Sequence, residues 1–291
     1  MKAFFIFLFL IVAGFFANYR MDGFSTKKIA SSFPINLSFD LALTPDREVL
    51  TILEQKFTYL GSGRQCFAFQ SEDGKYVIKF LNHDRFSLPK LLQIFPLFPP
   101  LEAMRKKRME KRHKRIEAFF TSFALAYTQL KEESGLLFVQ LVPKDHFTQP
   151  ILLIDRIGYP HTVDLNKMEF ILQKKGVPLY EVLAGHAGNT EVIKKILHSF
   201  IQLIVNRISK NIIDDDLNVK GNIGILDGKA ILMDIGRLFI DETLQDPEKF
   251  NRELLKSIKF LRQDHPELLS LLEEELDWKH SEKKPCFLQN F

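Results

Sequence analysis

The feature that most constrains this chain is an Asp-Gly pair, Asp73-Gly74, between two runs that favour β-structure. The runs cover Phe57–Gln70 and Tyr76–Phe80. An Asp-Gly pair between such runs is a strong signal for a tight turn joining antiparallel strands. The sequence therefore predicts a β-hairpin here, with a second, glycine-rich turn at Gly61–Gly63 near its start.

The rest of the chain first continues this β pattern and then becomes mainly helical. The predicted elements are a long helix at Leu101–Glu133, strands at Leu136–Val142, Ile151–Ile157 and Phe170–Lys174, and helices over 179–185, 190–209 and 247–277. We expect an antiparallel β N-lobe over residues 57–175, with one long helix, and a helical C-lobe over residues 176–291. Strands followed by helices indicate the α+β class.

Composition excludes several other kinds of protein. Apolar residues make up 46% of the chain and charged residues 26%, which is typical of a globular protein. The formal net charge is only +4, so no nucleic-acid partner is predicted. The two cysteines, Cys66 and Cys286, are too few and too far apart for a disulfide framework or a zinc site.

Residues 1–20 differ from the rest of the chain. An uninterrupted apolar run, Ala3–Ala17, has basic residues on both sides. A helix needs roughly 17–25 residues to span a bilayer, and the apolar core of a signal peptide is shorter. We expect residues 1–20 to be a hydrophobic signal-anchor helix or a signal peptide, so the protein is expected to be membrane-associated or secreted. The side of the membrane stays open, and residues 21–56 are expected to be a connecting segment.

Two features of the predicted N-lobe favour a phosphate ligand. Gly61 and Gly63 would let backbone N–H groups approach an anion without interference from a Cβ atom. Lys79 lies between Ile78 and Phe80 in a strand, so its side chain points to the opposite face from both. A lysine within a buried sheet is costly unless it meets an anion. A plain hairpin turn and a solvated edge lysine are the alternative interpretations.

A third feature is the stretch IIDDDLNVKGNIGILDGKAILMDIGRL, from Ile212 to Leu238. It holds three adjacent aspartates and an Asp-Ile-Gly sequence after a strand-like run. Together with the glycine-rich turn and the strand lysine, it resembles the protein-kinase-like superfamily, whose signatures are a Gly-rich loop, a strand lysine, a catalytic loop and a DFG aspartate. The resemblance implies a bilobal kinase-like fold with a reduced helical C-lobe.

The resemblance also implies roles for the matching residues of this stretch. Transfer of the γ-phosphoryl group of ATP depends on positioning and charge neutralisation. Asp216 falls at the place of the catalytic aspartate, which accepts the proton of a hydroxyl acceptor, and Lys220 would neutralise the transferred group. Asn222 and Asp234 fall at the places of the Mg²⁺ ligands.

The N-lobe matches imply contacts with the nucleotide. Gly61 and Gly63 would cover the phosphates of ATP, and Lys79 would pair with its α- and β-phosphates. A glutamate on the long helix would hold Lys79, and Glu117 is the expected one because it precedes the apolar half of that helix.

The sequence departs from the family pattern at several places. Asn222 follows Asp216 by six residues, one more than the family spacing, and Cys66 replaces the third glycine. Asp214 and Asp215 stand where the family has His and Arg. Two hypotheses follow: an atypical kinase for an unknown protein or small-molecule acceptor, or a weak or inactive pseudokinase. The pseudokinase would act as a nucleotide-binding or protein-interaction module, and an exported effector is one form of this hypothesis.

The first half of the long helix is strongly basic. Arg105–Arg115 contains eight Lys or Arg residues. This pattern is typical of a solvated helix face, and it also suits an anionic membrane surface or the docking of an anionic substrate. Residues 86–104, just before it, are apolar and interrupted by prolines, which predicts an ordered loop rather than a continuous helix.

Overall fold

The computed structural model describes residues 19–31, 36–63, 65–86, 99–216 and 218–282. The hydrophobic run expected at the N-terminus and most of the proline-interrupted loop lie outside these residues. The chain divides into two compact units: one holds residues up to Phe120 together with Leu136–Lys174, and the other holds Thr121–Gly135 together with the residues from Lys175 onward. Within the described ranges, no helix is both long enough and apolar enough to cross a bilayer.

The first unit is built on a seven-stranded sheet. Its strands are β1 (Phe57–Ser62), β2 (Cys66–Ser71), β3 (Tyr76–Leu81), β4 (Leu136–Gln140), β5 (Ile151–Ile154), β6 (Pro160–Val163) and β7 (Phe170–Lys174), in the spatial order β4-β7-β3-β2-β1-β5-β6. All neighbours are antiparallel except β1 and β5, which run parallel. The expected hairpin is confirmed, because β2 pairs with β3 across a turn whose Gly74 has φ +73°.

The hairpin of β5 and β6 was not expected from the sequence. Ile151–Ile157 was expected to be one strand, but the strand ends at Ile154, and Gly158 N donates to Asp155 O at 3.0 Å to form a turn. Gly158 has φ +87°, a conformation that favours glycine. The returning strand β6 begins with Pro160 and carries little apolar alternation, so it lacks the usual signal of a strand.

An aromatic core lies on one face of this sheet. Phe57, Phe67, Phe69, Phe80 and Phe170 are fully or almost fully buried. In β1 and β2 the buried residues alternate with more exposed ones, as expected for strands with one face in the core. Two helices of the N-terminal segment, α1 (Thr26–Ile29) and α2 (Arg47–Leu53), add apolar side chains to the same core. Asp46 is the N-cap of helix α2, because its carboxylate accepts from Val49 N at 2.8 Å.

The long basic helix is confirmed as α3 (Pro99–Gln129), followed by one further turn, α4 (Lys131–Ser134). The turn ends at Gly135, whose φ of +63° gives a left-handed C-cap. Over residues 102–111 the side chains are exposed except that of Arg105, which is half-buried. Beyond Glu117 the helix buries an apolar face, so its two halves have different surroundings.

The second unit consists mainly of helices with two small sheets. Besides α4 and the part of α3 from Thr121 onward, the helices are α5 (Leu179–Gly185), α6 (Thr190–Ser209), α7 (Val219–Asn222), α8 (Pro247–Asp264) and α9 (Leu269–Glu282). The strands are β8 (Val177–Pro178), β9 (Ile212–Asp214), β10 (Ile223–Leu226), β11 (Lys229–Leu232) and β12 (Leu238–Ile240), paired as β11-β10-β8 and β12-β9. The expected last helix is interrupted near Pro266 and forms two helices. The described elements confirm the α+β class.

Candidate functional site

Three stretches of backbone in the second unit hold the acidic residues together. Strand β9 pairs with β12, which sets Asp214 opposite Leu238, and Asp215 N donates to Arg237 O at 3.2 Å. The backbone oxygen of Asn222 accepts from Met233 N at 2.7 Å and from Asp234 N at 3.4 Å. The aspartate triplet, Asn222 and Asp234 therefore lie in one hydrogen-bonded patch.

Asn222 connects this patch to the expected catalytic aspartate. Its side-chain Nδ2 donates to the backbone oxygen of Asp216 at 3.1 Å, and the residue is 7% exposed. The six-residue spacing between them is accommodated by helix α7, a single turn that ends at Asn222. The extra residue therefore does not separate the two residues, because one hydrogen bond joins them directly.

The carboxylates of Asp216 and Asp234 both remain accessible to solvent. The side chain of Asp216 is 35% exposed and accepts from Asn218 N at 3.3 Å. Asp234 is exposed, and its Oδ1 accepts from Gly236 N at 3.0 Å, which fixes the turn that follows. Each carboxylate is held by a local backbone N–H and has oxygen lone pairs left for a ligand.

Arg237 is a site residue that was not singled out from the sequence. Its guanidinium nitrogen lies 3.8 Å from Asp216 Oδ2, and both side chains are about one-third exposed. An ion pair at this distance and exposure contributes little to stability. Its position directly after Asp234-Ile235-Gly236 was the available signal, because that sequence already marked the neighbourhood.

Asp214 is buried, unlike its two neighbours in the triplet. Burial raises its pKa to about 6, opposed by the charge of Arg207 and by a hydrogen bond from Asp216 N, while the negative charges of Asp234 and Asp216 raise it further. Asp215 is exposed. The triplet therefore contains one buried carboxylate, one solvated carboxylate and one at the candidate reaction centre.

Arg207, on helix α6, is the cation beneath this patch. Its guanidinium is 3.6 Å from Asp214 Oδ2 and 3.7 Å from Glu253 Oε1, and it donates to Ser257 Oγ at 2.9 Å. Burial lowers the pKa of Arg207, opposed by the two carboxylates. This pairing has no local signal in the sequence, since Arg207 and Glu253 lie on different helices.

The Asp-Ile-Gly segment is held by Ser122, which belongs to the same unit. Ser122 Oγ donates to Ile235 O at 2.5 Å and accepts from Leu238 N at 2.7 Å. Both Ser122 and Ile235 are almost completely buried. One hydroxyl therefore fixes the backbone on both sides of Gly236, directly after Asp234.

The candidate phosphate-binding residues lie in the first unit. Gly61 lies within strand β1 and Gly63 follows its last residue, Ser62. A Cβ atom added at Gly61 would meet nothing within 4 Å. Lys79 in β3 pairs with Ala68 and Ile171 and is half-buried, whereas Ile78 and Phe80 are fully buried. The side chain of Lys79 therefore lies on the opposite face of the sheet from those of Ile78 and Phe80, as expected.

Two further expected residues lie on exposed surfaces. The carboxylate of Glu117 is 45% exposed and lies 3.2 Å from His113 Nε2, one helical turn earlier. Lys220 is exposed on helix α7. The pairing of Glu117 with Lys79 and the role of Lys220 stay predictions.

The available ligand atoms suit a magnesium ion whose other ligands are waters and the phosphates of the substrate. Among the residues that the structure describes, no group of three or more His, Cys, Asp or Glu side chains could form a metal cage. Asn222 and Asp234 offer an amide and a carboxylate on one backbone patch. Mg²⁺ is commonly held by one or two carboxylates with waters and substrate phosphates.

Comparisons with known proteins found distant structural similarity only. No family model matches the chain, and no curated protein matches it. Similar solved structures include the bifunctional kinase-methyltransferase WbdD, with 14% identity over 78% of this chain and a TM-score of 0.34. Others are Rv3197 from Mycobacterium tuberculosis, in a complex with erythromycin, with 16% identity over 80% of this chain and a TM-score of 0.31, and WaaP in complex with acyl carrier protein, with 9% identity over 79% of this chain and a TM-score of 0.29.

These matches differ in how much of the other protein they cover. The chain spans 45% of the WbdD chain, 68% of Rv3197 and 90% of WaaP. With TM-scores below 0.5, the similarities carry no argument about the activity of this chain. The element order of the described residues fits the protein-kinase-like fold that the sequence resembles, with a hairpin sheet, a long helix, and helices that flank the acidic patch.

Proposed function

We propose that this protein is an atypical kinase-like phosphotransferase that moves the γ-phosphoryl group of ATP to a hydroxyl acceptor. The observation that carries the proposal is Asn222. Its side chain holds the backbone of Asp216 and its backbone holds Asp234. A single buried residue thus fixes the candidate base and the candidate metal ligand relative to each other, and catalysis by positioning requires this.

Each group would have a distinct role. Asp216 accepts the proton of the acceptor hydroxyl, because its carboxylate is partly exposed and held from behind by Asn218 N. Asp234 and Asn222 hold Mg²⁺, which when bound neutralises charge on the phosphates. Lys220, exposed on α7, neutralises the transferred group. Gly61, Gly63 and Lys79 remain assigned to the ATP phosphates on the resemblance alone.

Binding and turnover of nucleotide test the proposal separately. The full chain is titrated with Mg·ATP and with ATP in EDTA, and ATP turnover is measured in the same preparations. Ligand at about 100 times its Kd should add roughly 2.7 kcal/mol to the free energy of unfolding. Asp234→Asn should weaken Mg·ATP binding by about tenfold or more, because one magnesium ligand is lost.

Asp216→Asn should keep Mg·ATP binding and lower turnover by about 100-fold or more, since it removes a general base. Asp215→Asn is the matched control, because it removes an exposed carboxylate one residue away and should leave both measurements within about twofold. Absence of nucleotide binding in the natural protein, or equal binding in Asp234→Asn, would contradict the proposed site. Binding with no turnover would support the pseudokinase instead.

The basic half of α3 supports a proposed location at an anionic membrane surface. Its eight Lys and Arg residues lie in a helical stretch that is largely exposed, and Met104 and Met109 in the same stretch are 50% and 45% exposed. Each such cation near an anionic surface contributes about 1 kcal/mol. The hydrophobic run Ala3–Ala17 would add to this attachment.

A further inference from the structure

The segment just after the N-terminal hydrophobic run is packed into the first unit. Phe24 is 2% exposed, and its ring meets the rings of Phe67 and Phe69 edge to face at 5.3 and 5.1 Å. The ring of His161 lies 5.6 Å from it. Phe24 therefore packs against strand β2, which the glycine-rich turn joins to β1.

Asp22 extends this contact to the turn itself. One carboxylate oxygen, Oδ2, accepts from Tyr59 Oη at 2.7 Å and from Ser62 Oγ at 2.9 Å. These two hydrogen bonds lower the pKa of Asp22, so the carboxylate stays charged at neutral pH. The residue has φ +51°, a left-handed conformation that Asp tolerates better than most residues.

Ser62 is the residue between Gly61 and Gly63, so Asp22 holds the centre of the glycine-rich turn. Gly61 and Ser62 pair with Ala68 and Phe67 of β2. The space beside both glycines is open, because a Cβ at Gly61 would meet nothing within 4 Å and one at Gly63 would lie 3.9 Å from Cys66 O. A backbone hydrogen bond from Gly63 N to Cys66 O at 2.9 Å closes its base. The bond from Ser62 to Asp22 adds a link to a different part of the chain.

We propose that Asp22 is a positioning residue that holds the Gly61–Gly63 turn, through Ser62, in the conformation that binds the phosphates of the nucleotide. The inference rests on the proposed function and adds to it a residue that lies 40 positions before Ser62 and outside the matching motifs. A turn that is already ordered loses less conformational entropy on binding, so its ligand binds more tightly.

The effect should depend on phosphate groups. Adenosine lacks them, so its affinity reports only on the remainder of the nucleotide site and on general folding. Asp22→Gly removes the carboxylate while keeping the left-handed backbone free of strain. It should raise the Kd of Mg·ATP by about three- to tenfold and leave the Kd of adenosine within about twofold, since ordering one or two residues involves roughly that free energy.

Four further variants of the full chain separate positioning from folding. Asp22→Asn keeps an acceptor oxygen and tolerates the same backbone, so it should recover most of the Mg·ATP affinity. Ser62→Ala should weaken Mg·ATP binding as Asp22→Gly does, and the double variant should be no weaker than either single one. Tyr59→Phe removes the other hydrogen bond to Asp22 and should have a smaller effect, because it leaves the turn attached.

The outcomes distinguish this inference from the proposed function. If the natural protein binds Mg·ATP and Asp22→Gly binds it equally well, Asp22 does not position the turn. Equal weakening for adenosine and Mg·ATP would indicate a structural role only and would also overturn the inference. If the natural protein does not bind Mg·ATP, the proposed function fails first, and hydrogen exchange of residues 59–68 then tests whether Asp22→Gly loosens the turn.

Discussion

The buried carboxylate of Asp214 should make the stability of the protein depend on pH in a defined direction. Burial raises its pKa from the ordinary 3.8 to about 6, so the folded state binds this proton more tightly than the unfolded state. The stabilising contribution is complete below pH 3.8 and is lost as pH rises through about 6. Asp214→Asn removes the titration and keeps the shape of the side chain.

The size of the effect follows from the two pKa values. The full difference corresponds to about 3 kcal/mol, of which about 2 kcal/mol falls between pH 4.5 and 7. The stability of the natural protein minus that of Asp214→Asn should therefore fall by about 2 kcal/mol across this range. Arg207 keeps its bond to Ser257 in the variant, so the guanidinium is not left without a partner.

Urea unfolding at several pH values between 4.5 and 7, followed by circular dichroism, measures this difference. Asp215→Asn is the control, because it removes the adjacent, exposed carboxylate and changes the net charge equally. A stability difference that stays constant with pH would refute the argument. So would a pH dependence that Asp215→Asn reproduces, since the cause would then be the general charge and not the buried site.

Three other changes test the packing and surfaces described above. Gly224→Ala should destabilise the protein by about 1–3 kcal/mol in urea unfolding, because the new Cβ would lie 2.6 Å from Met233 Sδ. Gly221→Ala is the control and should not destabilise the protein, because its new Cβ meets nothing closer than 3.5 Å. Equal effects of the two substitutions would count against the steric explanation. Ser122→Ala should cost about 1–3 kcal/mol, because it leaves two buried backbone groups without this partner, and unchanged stability would contradict that role. Replacing four lysines of Arg105–Arg115 with serine should weaken sedimentation with phosphatidylserine vesicles by about tenfold or more, and equal binding would argue against the membrane surface.

Local patterns in the sequence predicted the local parts of the fold. The Asp73-Gly74 hairpin, the long basic helix and the strand Phe170–Lys174 are each set by neighbouring residues, and each is confirmed. The sequence did not predict that β5 pairs in parallel with β1, because the partners Phe57 and Leu153 are far apart in the chain. Such a pairing depends on the tertiary fold and has no local signal.

The candidate site shows the same contrast between residues that local patterns identify and residues that only the tertiary fold brings together. Asp216, Asn222 and Asp234 could be named because their order and spacing resemble known motifs, and the structure brings these three into one patch. Arg207 and Ser122 could not, since an arginine and a serine on helices are ordinary in sequence and acquire their role only by burial beside distant residues. The roles of the named residues in catalysis stay predictions until the variants are measured.

The assignment of Thr121–Gly135 to the second unit has a consequence for dividing the protein into fragments. A piece beginning at Lys175 would contain the whole acidic patch and still lack Ser122, which holds Ile235 O and Leu238 N. It would also lack Glu133, the partner of Lys210. Such a fragment should not form the Asp-Ile-Gly turn by itself, and adding a peptide of residues 121–135 should restore it. The second unit is thus one compact body made of two separate segments of the chain. Its independent expression therefore requires joining two separate pieces of the gene.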